Sequence, residues 1–229
     1  MFDIIYQDQN LLVINKPNNL VVQKTNGYPE SLEETLSKYE PLLASVPRQG
    51  IVHRLDRQTT GLLLVAKNSE SFNYLSSLFK KRKIKKVYLA LVEGILANES
   101  VEITFYVQKT FPKKGKIKMN LDSQQGKLVQ ISFQVIERLN NYTLLKVFPL
   151  TGRTHQIRVA FQKINHPIYN DPLYSSFCAN PEIGQYLHAY SLEFCGPKKE
   201  KFLLQAPLPD FFQKKLQKLG CKKLLSAYF

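Results

Sequence analysis

The sequence predicts an α+β protein built on a large mixed or mostly antiparallel sheet flanked by a few helices. Three observations carry that prediction. Short stretches rich in β-branched and aromatic residues, bounded by turn-type clusters, outnumber the amphipathic helical stretches. The strands come in runs instead of alternating strictly with helices. Finally, Gly61-Leu62-Leu63-Leu64-Val65-Ala66 is apolar on both faces, as a central, fully covered strand requires. With 229 residues, 44% of them hydrophobic, the chain is read as one domain spanning 1–229, able to bury about 70–75% of its unfolded surface.

Residues 2–7 and 11–16 read as paired strands joined by Asp8-Gln9-Asn10, and Asn18-Asn19 mark another turn. Pro29-Glu30-Ser31 opens a helix with Leu32, Leu36 and Tyr39 on its inner face. Residues 51–56 and 61–67 read as two extended stretches. Ser69 is placed to cap a helix whose inner face holds Phe72, Leu75, Leu78 and Phe79; Lys80-Lys81-Arg82-Lys83 complements the negative end of its dipole. Strands are expected over 86–93, 101–107, 127–138 and 142–148, with an exposed basic loop over 109–118. Residues 153–164 read as a helix facing inward through Ile157, Ala160, Phe161 and Ile164. After a Pro-rich turn over 165–175 come a strand over 186–194 and a helix over 209–219 that Gly220 is placed to end.

Composition removes several classes of function. No uninterrupted apolar run exceeds six residues, against the roughly 20 that a membrane-spanning helix needs. Asp3 and Asp8 precede the first basic residue, Lys16, which suits neither a secretory signal nor a transit peptide. The expectation is a cytoplasmic protein without a membrane partner. Cys178, Cys195 and Cys221 are scattered, without metal-ligand spacing, and read as small buried hydrophobes.

The net charge of +14 is unevenly spread. Residues 1–79 balance at −1, whereas 80–127 carry 12 basic and 4 acidic residues. Such concentration attracts polyanions through counterion release, so RNA, DNA or an anionic membrane is the partner that charge alone indicates.

Two polar clusters are candidates for chemistry. In the first, Ile51 to Gly61, a strand puts Arg54 and Asp56 on one side. Polar groups entering a covered sheet must be paired, and a carboxylate beside arginine is held ionised. An oriented carboxylate serves as nucleophile, base or electrostatic stabiliser; a structural ion pair at a strand end explains the same spacing. In the second, Thr151 to Arg158, Gly152 and Thr154 suit a helix start whose free N–H groups bind anions. Arg153 and Arg158 suit gripping phosphate, or one of them pairing with Asp56. His155 reads more readily as a structural hydrogen-bonder than as a catalyst.

Taken together, these blocks resemble the RluA-type pseudouridine synthases. The signature lies in His53-Arg54-Leu55-Asp56-Arg57-Gln58-Thr59-Thr60-Gly61 and the apolar strand after it. Four further blocks follow in the family's order. They are Asn15-Lys16-Pro17 with Leu20-Val21-Val22; Lys86-Val87-Tyr88-Leu89-Ala90; Leu150 to Arg158; and His166-Pro167-Ile168 with Asp171-Pro172-Leu173-Tyr174, completed by Leu187-His188-Ala189. The family's usual Gly after Lys-Pro is replaced by Asn18-Asn19, and Asn tolerates positive φ. Thr60 stands where Ser is usual, keeping the hydroxyl.

The resemblance implies a pseudouridine synthase fold with a central active-site cleft, no cofactor, no metal and no obligate protein partner. It implies structured RNA, ribosomal or transfer, as substrate. Asp56 is then the catalytic aspartate, which attacks the ribose by addition to the anomeric carbon or by way of a glycal. Tyr88 stacks on the target uracil, Arg158 pairs with the aspartate, and Arg54 fills the gap left by the flipped base. Leu187 and Ile157 wall the uracil pocket, and Lys16 with Pro17 supports the active-site loop. His53, Arg57, Arg153, Lys81, Lys83, Lys85, Lys113 and Lys114 are the remaining RNA-contact candidates, with 80–86 and 109–118 expected to flank the cleft. Many relatives carry a small N-terminal RNA-binding domain, and the first motif, at residue 15, leads to the expectation that it is absent here. A non-catalytic RNA-binding protein of the same fold is the competing reading. A nuclease or glycosidase needs a second carboxylate, and Asp171, in another motif block, sits in a Pro-flanked turn that reads as structural.

Overall fold

A computed structural model describes residues 2–25, 27–110, 118–122 and 126–223. The described residues fall into two compact units, residues 1–86 with 188–209 and residues 87–187 with 210–229.

In the first unit, β1 (Asp3–Gln7) and β2 (Leu11–Lys16) form an antiparallel hairpin, and β2 pairs antiparallel with β3 (Thr60–Ala66) from Leu11↔Ala66 to Lys16↔Gly61. Asp8 closes the hairpin by accepting from the backbone N–H groups of Asn10 and Leu11 at 2.7 Å each. Following α1 (Leu32–Tyr39) and α2 (Ser69–Lys80), the chain runs through β4 (Lys85–Glu93), β5 (Ser100–Thr110), β6 (Lys118–Asp122), β7 (Lys127–Leu139), β8 (Tyr142–Pro149) and α3 (Gln156–Lys163). It ends with β9 (Leu187–Cys195), β10 (Lys201–Gln205) and α4 (Asp210–Lys218). In the first unit β9 joins β3 in parallel through Thr60↔His188 and Gly61↔Ala189, and β10 pairs antiparallel with β9. All seven residues of β3 are buried, as its two-faced apolar composition predicts. Leu62, Leu64 and Ala66 pack with Leu11, Val13, Leu75 and Phe194.

The second unit is an antiparallel array in the order β4, β8, β7, β5, β6. Its core takes Phe105, Val129, Phe133 and Val147 from the strands and Ile157, Val159, Ala160 and Phe161 from α3. The expected α+β class, with a mixed, mostly antiparallel arrangement, is what the chain adopts.

Some expectations shift. Residues 51–56 are not a strand: only Ile51 makes a bridge, to Val65, and a loop follows, turned by the Thr59 N–H donating to the Asp56 carbonyl (3.0 Å). The reading of Arg54 and Asp56 as strand neighbours on one face is therefore withdrawn. α1 starts with a capping box between Ser31 and Glu34, but Tyr39 is exposed, so its inner face rests on Leu32 and Leu36. Asn68, not Ser69, caps α2 by accepting from Ser71 N–H (2.9 Å).

The helix expected from 153 begins at Gln156, because the Gln156 side chain takes over the preceding turn. Its Oε1 accepts from Arg153 N–H (2.8 Å) and Thr151 Oγ1 (2.9 Å), and its Nε2 donates to the Thr151 carbonyl (2.8 Å). The N–H of Arg153 is thereby spent inside the protein. β6, β10 and two short 3-10 turns (Pro41–Ser45, Pro47–Gly50) were not anticipated. The basic loop falls mostly outside the described residues, with Lys113 and Lys114 among those outside; β5 runs on to Thr110.

Candidate active site

The first unit contributes the loop between Ile51 and β3, and Lys16 fixes it. Lys16 ends β2, has no solvent exposure, and donates through Nζ to three carbonyls, of Pro17 (2.8 Å), Arg57 (2.9 Å) and Leu20 (3.0 Å). Three N–H donors meet three acceptors, which satisfies a buried ammonium geometrically. Burial pushes its pKa down to about 7, with the Asp56 carboxylate pulling it up and Arg57 pushing it down. A single buried cation thus ties the strand end, the turn at 17–20 and the residue after Asp56 into one piece. Asp56 itself is half-buried.

Arg57 donates through Nη1 to Asn19 Oδ1 (2.6 Å) and lies over the Tyr28 ring, 5.4 Å from its centroid. Asn19 adopts φ 62°, the left-handed turn that its place after Lys-Pro anticipates. Arg54 is exposed on the loop. His53 is committed to the fold. Its Nε2 accepts from Leu64 N–H (2.9 Å) and its ring stacks on Phe79 at 4.5 Å. An amide can only donate, so this ring is neutral with its proton on Nδ1, and burial holds its pKa down at about 3, with Lys86 and Arg48 adding to the effect. Deeper still, His188 Nδ1 meets Thr60 Oγ1 (2.8 Å) and Nε2 meets the Ala206 carbonyl (3.2 Å).

Of the basic candidates after α2, Lys81 and Lys83 are exposed. Lys85 is exposed too but paired with Glu193 at 2.9 Å.

The second unit gathers the proposed uracil-pocket residues. Tyr88, half-buried on β4 opposite Val147, packs against the apolar cluster that includes Ile157 and Leu187. Beside Ile157, Arg158 is buried, and its guanidinium grips Asp171: Nε to Oδ2 at 2.6 Å and Nη2 to Oδ1 at 2.8 Å. Asp171 Oδ1 also accepts from the backbone N–H groups of Leu173 (2.9 Å) and Tyr174 (3.2 Å). The Tyr174 ring lies under the guanidinium, 5.1 Å from centroid to Cζ, and its hydroxyl accepts from Met119 N–H (2.9 Å) and meets His155 Nδ1 (2.9 Å). His155 is the structural hydrogen-bonder its position suggests. Arg153 is exposed, with Nε 3.4 Å from the Leu128 carbonyl.

Asp171 and Tyr174 as holders of Arg158 were not read from the sequence, although Asp171-Pro172-Leu173-Tyr174 stands in a motif block. The cue was present: an Asp two and three residues before amides that need acceptors is an Asx-type turn. Among the described residues no group of His, Cys, Asp and Glu is arranged to hold a metal, and no helix is long and apolar enough to cross a membrane.

Comparison with known proteins shows the family of the chain. Residues 10–163 match the family model described as RNA pseudouridylate synthase. An uncharacterised RNA pseudouridine synthase of Mycoplasma pneumoniae is 37% identical across 99% of this chain and 73% of its own length. A ribosomal large subunit pseudouridine synthase D of Nitrosomonas europaea is 38% identical across 90% of this chain, which spans 62% of that protein. The solved human RNA pseudouridylate synthase domain containing 4 shares the fold, with a TM-score of 0.77 at 24% identity over 95% of this chain and 92% of that one. The chain belongs to the RNA pseudouridylate synthase family. It is an RNA pseudouridine synthase of the RluA type, an isomerase, as its motifs imply.

Proposed function

We propose that this protein isomerises particular uridines in structured RNA, of which ribosomal RNA is the class that its relatives' names favour, and that it does so in the cytoplasm. Asp56 attacks the ribose, by addition at the anomeric carbon or by assisting loss of the 2′ proton. The N1–C1′ bond breaks, the uracil turns within the site, and C5 bonds to C1′ while the C5 proton is lost and N1 gains one. Tyr88 stacks on the base, Ile157 and Leu187 wall it, Arg158 stabilises the reacting groups, and Arg54 fills the vacated stack. Extracting a base costs a few kcal/mol. Stacking returns about 1–3 kcal/mol, and phosphate contacts from Lys81, Lys83, Arg57 and the 109–118 lysines supply more.

The observation that carries this reading is the buried ammonium of Lys16 beside Asp56. Burying a cation is costly even where its hydrogen bonds are met. Placing one on the carbonyl of the residue after Asp56, where it senses that half-buried carboxylate, makes sense where the carboxylate must be ionised and held still. The test is pseudouridine mapping of RNA treated with wild-type protein or Asp56→Ala. The variant is expected to bind RNA and form no pseudouridine; retained turnover removes Asp56 from the reaction.

A further inference from the structure

We propose that Asp171 and Tyr174 are positioning residues for the isomerisation: one tight turn supplies both a carboxylate and an aromatic floor that set the plane of the Arg158 guanidinium. The inference rests on the reading above, in which Arg158 serves the reaction.

The burial of the pair is the first reason. Arg158 is 4% exposed and Asp171 not at all, and Arg158 follows Ile157 and precedes Val159, Ala160 and Phe161, all buried in the core. At such a position an aliphatic side chain does as well or better for stability, since replacing a buried ion pair by packed apolar groups is often neutral or stabilising. An arginine kept there, with a carboxylate supplied to hold it, serves something other than stability.

The geometry is the second reason. Two parallel bonds from Nε and Nη2 to one carboxylate fix the guanidinium plane, which a point cation on a flexible stem cannot reproduce. The carboxylate is itself fixed by the Leu173 and Tyr174 amides, so it cannot follow the arginine if the arginine moves. Tyr174 closes the clamp from the ring face at 5.1 Å, inside the range of a cation–π contact. That ring is pinned through its hydroxyl by Met119 N–H and by His155. The guanidinium is therefore held on its Nε–Nη2 edge and on one face, leaving orientation to the turn and not to the eight-residue helix that bears it.

The experiment is a double-mutant cycle on single-turnover pseudouridine formation, with RNA affinity and thermal melting followed in parallel. Asp171→Asn keeps the side-chain shape and an acceptor for the two amides but removes the charge and one acceptor of the bidentate pair. The expected result is a fall in kcat of about 100-fold, the scale of a 1 Å misplacement, with RNA affinity unchanged. Arg158→Lys is expected to be slow as well, and adding Asp171→Asn to it is expected to change the rate no further. Equal loss from Asp171→Asn in both backgrounds overturns the proposal in favour of a purely structural turn, as does a wild-type rate in Asp171→Asn alone. Should Asp171→Asn fail to fold, Tyr174→Leu enters the same cycle and is read by the same criteria. A wild-type rate in Arg158→Lys takes away the role of Arg158 itself, an outcome separable from the others, and the positioning role falls with it.

Discussion

The Nζ of Lys16 donates to the carbonyl of Arg57 at 2.9 Å, joining the end of β2 to the residue that follows Asp56 across 41 positions of sequence. The same nitrogen reaches Pro17 and Leu20, so one side chain holds two loops. Replacing it by Met keeps the stem's length and leaves three part-buried carbonyls without this donor. An unsatisfied buried group costs about 1–3 kcal/mol, offset in part by no longer burying a cation. Lys16→Met is therefore expected to lose about 1–3 kcal/mol in denaturant titration and to lose activity even where it remains folded. Unchanged turnover in folded Lys16→Met separates the loop's placement from catalysis.

Gly61 sits in β3 at φ 109°, where an added Cβ lies 2.3 Å from the carbonyl oxygen of Ala189 on β9 and 2.7 Å from its carbon and nitrogen. The contact is to backbone, so no side chain can yield. Conformational strain of about 1–3 kcal/mol and overpacking of about 1–3 kcal/mol act together on Gly61→Ala. The expected result is a Tm well below wild type, with a loss in the range of about 2–6 kcal/mol; a melt within 1 °C of wild type contradicts the close approach of β3 and β9.

How far the sequence discloses this arrangement depends on where the cause lies. β2 and β3 were legible because their composition answers directly to burial, and α4 because Gly220, at φ 73°, follows it. The 51–56 segment was not, because Val52, Arg54 and Asp56 alternate as a strand does, whereas the geometry is decided by Lys16, distant in sequence, and by the turn closed at Thr59. The start of α3 was misplaced because a single side chain, Gln156, and a left-handed His155 replace the expected cap. Asp56, Tyr88 and Arg158 stand in the motif blocks that carry the resemblance, while the buried bidentate partner of Arg158 was not read: pairing over 13 residues leaves no periodic trace.

A buried histidine, His188, and a half-buried one, His53, make stability depend on mild acid. His188 must donate from Nε2 to the Ala206 carbonyl and therefore accepts at Nδ1 from the Thr60 hydroxyl, which is a neutral ring. Burial lowers its pKa to about 4, the Ala206 contact working the other way, and His53 lies at about 3 for the same principal reason. An unfolded histidine titrates near 6.5. Between that value and about 4 the unfolded chain takes up a proton that folded His188 refuses, so stability is complete above pH 6.5 and falls as pH drops through the window. The His188 share is about 3 kcal/mol, and His53 adds to it with the same sign. Denaturation midpoints at pH 7, 5.5 and 4 are expected to decline, and His188→Gln is expected to decline less steeply. A slope identical to wild type in that variant removes His188 as a cause.

The exposed lysines past α2 are not equivalent, and salt distinguishes them. Lys81 and Lys83 are exposed, whereas the Lys85 ammonium has Glu193 at 2.9 Å, on a surface where both side chains are solvated. A lysine that neutralises a phosphate on binding releases a counterion and contributes about 0.7–0.9 to the slope of log affinity against log salt concentration. Lys85 must first exchange a carboxylate for the phosphate, so its removal also frees Glu193 to repel the RNA. The double variant Lys81→Gln/Lys83→Gln is therefore expected to flatten the slope by about 1.5 and to weaken binding mainly at low salt. Lys85→Gln is expected to flatten it by less than half a contact, while Glu193→Gln alone is expected to tighten binding at low salt. Filter binding or fluorescence anisotropy between 50 and 200 mM salt, the range over which phosphate contacts are read, resolves slopes of this size. Equal slopes for wild type and the double variant would mean that this basic stretch lies away from the bound RNA, and that its charge serves some other partner.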